Sequence, residues 1–103
     1  MPTVYDKLVR DRIPEVVREN GETPVTHVAD DAEYLRRLAE KLEEEAVEYR
    51  ASGDLDELAD VLEVVDAICV ATGVDPATLS ERRQEKAERR GRFAERIVLE
   101  RVE

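Results

Sequence analysis

Residues 41–62 read KLEEEAVEYRASGDLDELADVL, and the fold turns on how this stretch is parsed. Ser52-Gly53 divides it, a natural helix stop because glycine accepts the left-handed backbone that ends helices. Before the break stand Glu45 and Glu48, and after it Glu57 and Asp60, an E-x-x-E mirrored by an E-x-x-D. Residues three apart share a helix face. Folding the stretch about its midpoint as an antiparallel helical hairpin sets Glu45 level with Asp60 and Glu48 level with Glu57. Four acids converging between two helices repel unless a positive charge lies among them. All four offer oxygen only, the donor set of Mg²⁺, with Mn²⁺ as the alternative.

Outward from the hairpin, the chain reads as further helices. Asp30 and Glu33 form a capping box opening a helix over about 31–51, with Leu35, Leu38, Leu42, Ala46 and Tyr49 as its apolar stripe. Asp54 is placed to cap a helix over about 55–72, closed by Gly73, and Asp75-Pro76 opens another over about 76–90 before Gly91. A short helix near Pro14 ends at Gly21. The segments 24–29 (PVTHVA) and 96–102 (RIVLERV) alternate and are expected to pair as a small two-stranded β ribbon. The expected class is therefore all-α, a single domain over 1–103 built as a helical bundle on the hairpin. The helix over 55–72 is apolar around nearly its whole circumference, which marks a helix buried on every side. So small a chain cannot surround it alone, so this helix is expected at an oligomer interface.

Composition excludes several classes. The chain has 103 residues and a formal net charge of -10. So acidic a surface repels phosphate, so no nucleic-acid partner is expected. No apolar stretch approaches the ~20 residues of a membrane span, and no signal peptide is evident, so a cytoplasmic protein without a membrane partner is expected. Cys69 is the sole cysteine, within an apolar run, and reads as a small buried hydrophobe. The acid-rich, lysine-poor balance fits a high-salt cytoplasm or, more simply, a GC-rich genome. A four-helix di-iron site needs Glu-x-x-His pairs, and the lone His27 lies outside both acidic helices.

Each acid also has a bland reading. Glu43, Glu44 and Glu45 form a run of the kind found on solvated faces, and Glu57 sits where a capping box with Asp54 would place it. Asp60 is hardest to dismiss, because an acid in so apolar a helix has a desolvation cost to offset. Glu44 points away from the apolar stripe and is a weaker candidate than Glu45 and Glu48.

With KLxEExxE at 41–48 and ELADVL at 57–62, the chain resembles the MazG-like all-α nucleoside triphosphate pyrophosphohydrolase superfamily, which includes the phosphoribosyl-ATP pyrophosphohydrolases. KLVRDRIP at 7–14 and EKAERRGRF at 85–93 resemble a short, single-domain branch of it. The resemblance implies a Mg²⁺-dependent enzyme that cleaves a nucleotide between its α- and β-phosphorus, giving monophosphate and pyrophosphate. It implies Glu45, Glu48, Glu57 and Asp60 as metal ligands; the attacking water would then need a general base, for which Glu45 and Glu48 are better candidates than a Glu57 tied to the cap. Lys7, Arg10, Lys86 and Arg90 would hold phosphates. Where some relatives have Asn after the basic residue, this chain has Ala87-Glu88-Arg89-Arg90, which leaves base and sugar contacts undefined. A homodimer or homotetramer is implied. Housecleaning of nucleotides fits both chain ends better than the histidine-pathway step on phosphoribosyl-ATP. The other classes are a non-enzymatic metal- or partner-binding helical module and a metal-free regulatory helical dimer.

Overall fold

A computed structural model describes residues 2–103 and is all-helical, with four helices and no strand among those residues. They are α1 (Ile13–Glu19), α2 (Asp31–Ser52), α3 (Leu55–Thr72) and α4 (Pro76–Arg90). The local chemistry sets their ends. Asp30 accepts the Glu33 amide at 2.8 Å to open α2, and Asp75 accepts the Ala77 amide at 2.9 Å to open α4. The box at Asp30 is half made, because the Glu33 carboxylate turns instead to His27 and Arg37. The cap expected at Asp54 does not form: its side chain accepts no helix amide, and α3 starts with the Glu57 amide on the Asp54 backbone carbonyl at 3.1 Å.

Gly53 ends α2 at φ 70, and its amide donates to the Tyr49 carbonyl at 2.7 Å. A Cβ there would meet nothing within 4 Å, so substitution strains the backbone without a clash. Gly53→Ala is expected to destabilise the protein by about 1 kcal/mol, read as a lower urea midpoint with unchanged slope. No change would mean that the left-handed turn between α2 and α3 is dispensable.

α2 and α3 pack against each other across this two-residue break. Leu38 of α2, 2% exposed, and Val64 and Cys69 of α3 are the buried apolar residues. Only one face of α3 is covered. Leu55, Leu58, Leu62 and Val70 of the same helix are exposed, Leu62 at 69%. The all-round burial expected for α3 is therefore not met within one chain, because α1 and α4 bury no residue of their own. The ribbon expected between 24–29 and 96–102 is also absent. Both segments lack regular structure, and Val25, Val28, Ile97, Val98 and Leu99 are exposed. A lone two-stranded ribbon is marginal without a core beneath it, and Arg96, at φ 60 in a turn closed onto Phe93, interrupts the second segment at its start.

The single chain is open as a result. Its radius of gyration is 17.9 Å, against about 13 Å for a compact chain of this length. Its accessible surface is 9515 Å², against about 5,900 Å² for a folded monomer of this mass.

Candidate metal centre

Glu45 and Glu48 lie one turn apart on α2, and Glu57 and Asp60 one turn apart at the start of α3. Packing of the two helices brings one oxygen of each carboxylate within 4.8 Å of the others. Opposite ligands of an octahedral Mg²⁺ are about 4.2 Å apart, from metal–oxygen distances near 2.1 Å. The observed spread is a little wider, so a small inward shift of the side chains would bring all four oxygens onto one ion.

Burial is graded across the cluster. Glu45 is buried, at 6% exposure, Glu57 and Asp60 are half-buried, and Glu48 is exposed. The Oε2 atom of Glu45 is buried without a hydrogen-bond partner. A buried carboxylate oxygen normally has one, because leaving it unpaired costs free energy. A cation among the four acids would supply the missing partner, and this orphaned oxygen is the observation by which these residues fit a hard metal. Desolvation lifts the Glu45 carboxyl above its usual range, with the neighbouring Glu48 carboxyl pushing the same way and Lys41 opposing. Glu57 has no cap partner in the Asp54 side chain, so the bland reading of that residue loses its geometry.

Cations reach the cluster from two directions. Lys41 Nζ lies 3.3 Å from both Glu44 Oε2 and Glu45 Oε1. From the N-terminal segment, Lys7 donates to Glu44 Oε1 at 3.0 Å and Arg10 Nη2 to Asp60 Oδ1 at 2.6 Å. Burial alone would raise the Glu44 carboxyl, but its bonds to Lys7 and Lys41 outweigh that and hold it below the usual range. Lys7 and Arg10 are thus beside the cluster. Lys86 and Arg90 are exposed on α4, and neither pairs with an acid among the described residues.

Sequence reasoning missed Lys41, although its i, i+3 and i, i+4 spacing to Glu44 and Glu45 was a usable signal. It also missed the clamp that seats the N-terminal segment. Arg37 donates to the Asp6 carbonyl at 2.8 Å and to Asp6 Oδ1 at 2.9 Å, and its Nε to Glu33 Oε2 at 3.3 Å. His27 Nε2 lies 2.9 Å from both Glu33 carboxylate oxygens. No sequence spacing links Asp6 to Arg37. The His27 bond, with help from Arg37, holds Glu33 below its usual range. A carboxyl lowered in the folded state stabilises above its unfolded value, near 4.5, and that share is lost as pH falls through the lowered one. Carboxyl NMR shifts are expected to place the Glu33 midpoint below 4.5 and to move it upward in His27→Ala; an unmoved midpoint would dissociate His27 from the clamp.

The fold and the cluster define a helical protein with a four-carboxylate oxygen site. No family model and no solved structure matches the chain. Over 50 residues it is 50% identical to an uncharacterized protein of Mycolicibacterium smegmatis (strain ATCC 700084 / mc(2)155), a match covering 48% of this chain and 51% of that relative. The chain thus spans about half the length of the curated relative it matches.

Proposed function

We propose that the protein is a Mg²⁺-dependent nucleotide pyrophosphohydrolase of MazG-like type that converts NTP or dNTP to monophosphate and pyrophosphate. The observation that carries this reading is the convergence of Glu45, Glu48, Glu57 and Asp60 about a buried, unpartnered carboxylate oxygen, in a chain whose motifs resemble that superfamily. The reading takes α2 and α3 as the antiparallel hairpin that sets the two acid pairs face to face. When bound, Mg²⁺ would neutralise phosphate charge as the α–β anhydride breaks.

The residues of the chain then have separate tasks. Glu45, Glu48, Glu57 and Asp60 hold the cation. Glu48, the exposed member, is open to solvent and suited to take a proton from an attacking water, while the desolvated Glu45 is the alternative base. Lys7 and Arg10 stand beside the cluster and would hold outer phosphates. Lys86 and Arg90 would join them only in a more closed or assembled state.

Assembly is part of the proposal. The surface excess of about 3,600 Å² over a compact monomer exceeds what one chain gives to an obligate interface, about 1,000–2,500 Å². The exposed apolar residues of α3 would form the contact in a homodimer, and a tetramer would absorb more of the excess.

The test is incubation with a panel of NTPs and dNTPs, with and without Mg²⁺, measuring pyrophosphate against orthophosphate. Pyrophosphate with an equal amount of monophosphate, only in Mg²⁺, is the expected result. Orthophosphate alone would place cleavage at another bond and refute the reading. Phosphoribosyl-ATP belongs in the panel, since turnover of it alone would reassign the enzyme to the histidine-pathway step.

A further inference from the structure

The N-terminal segment is bound to the helices through charge at three points. Arg37 pins its upstream end at Asp6, Lys7 reaches Glu44, and Arg10 reaches Asp60. Only Leu8 and Val9 of this segment are even half-buried, and the α1 helix that follows buries nothing. The placement of the segment therefore depends on its ion pairs. The last of these falls on a carboxylate oxygen of the acid cluster itself. The cluster is more than a group of surface acids, because the Glu45 side chain is over nine-tenths buried and its Oε2 atom lacks a partner.

A cation seated among the four acids competes with Arg10 for Asp60. With a metal–oxygen distance near 2.1 Å and Arg10 Nη2 at 2.6 Å from Asp60 Oδ1, metal and guanidinium would stand within roughly 5 Å of each other, where like charges repel. Arg10 is largely exposed and swings into solvent without leaving a buried hole. Lys41 differs: it is mostly buried, rises from α2 itself and keeps Glu44 as partner. Arg10 is thus the readily displaced cation of the site.

We infer that Arg10 is a tethered counter-ion for the metal site, released from Asp60 when a divalent cation loads, so that metal binding frees residues 8–12 from the cluster while Lys7 stays on Glu44. This rests on the metal-site reading of the four acids and adds its regulation: the segment rests on the site before loading and presents a free guanidinium beside it afterwards. The pin at Asp6 lies outside the exchange and keeps Arg10 close enough to meet an anion arriving at the loaded site.

The test is calorimetric titration of the full chain with Mn²⁺ alone, comparing wild type, Arg10→Gln, Arg12→Gln and Glu45→Gln. Removal of the competitor is expected to tighten Mn²⁺ binding roughly two- to fivefold in Arg10→Gln, the scale of a solvent-exposed ion pair. Arg12→Gln, which lacks a contact to the cluster among the described residues, is expected to match wild type. In wild-type protein, the amide resonances of residues 8–12 are expected to move on addition of diamagnetic Mg²⁺. Equal or weaker binding by Arg10→Gln, with binding still abolished by Glu45→Gln, overturns the exchange and leaves the metal site standing. Absence of Mn²⁺ binding in wild type overturns both.

Discussion

Glu45→Gln is expected to reduce Mg²⁺-dependent pyrophosphate release by about 10³-fold or more, a loss of about 4 kcal/mol of transition-state stabilisation. The substitution keeps the side-chain shape and removes the charge that a hard cation requires. Its effect on the metal-free fold runs the other way. Glu45 is buried, carries an unpartnered oxygen and sits against Glu48, so a neutral amide relieves desolvation and repulsion there. The metal-free melting temperature is expected to stay level or rise, and the Mg²⁺-induced rise expected of wild type to vanish. Paired measurements of turnover and of melting with and without Mg²⁺ check both halves. Loss of stability with retained turnover would contradict the assignment. A non-enzymatic bundle, in which Lys41 and Arg10 serve only to neutralise the acids, would show the stability effect and no turnover in any variant.

Leu62→Glu is expected to weaken the proposed self-association through α3 by about 10³-fold or more and leave a monomer. Leu62 is exposed on α3 in the single chain, and a charge carried into an apolar contact without a partner costs several kcal/mol. Sedimentation velocity reads the change directly. A mass equal to that of wild type would exclude this part of α3 from the interface, and a monomeric wild type would refute the assembly altogether.

The parts legible in sequence were those set by local chemistry. Asp30, Gly53, Gly73, Asp75 and Pro76 mark helix ends within a residue or two of where they fall, because caps and left-handed glycines act through neighbours in the chain. The acid pairs were legible for the same reason: i, i+3 spacing and a two-residue break fix which carboxylates can meet. Failures arose where the outcome depends on distant partners. The alternation of 24–29 and 96–102 is a strand signal without a surface to satisfy it, so neither segment forms a strand. The apolar girth of α3 was read as a demand for burial on every side, and one chain meets it on a single face. The Arg10–Asp60 pair spans 50 positions, and nothing periodic announces it. A buried acid with an orphaned oxygen emerges only when two helices have been packed.

Hydrolysis of the nucleotide in H₂¹⁸O identifies the phosphorus that water attacks. Attack of water at the α-phosphorus, with Mg²⁺ held by Glu45, Glu48, Glu57 and Asp60, is expected to place the label in the monophosphate and leave pyrophosphate unlabelled. Label in pyrophosphate or orthophosphate, or turnover unaffected by Mg²⁺, would contradict it.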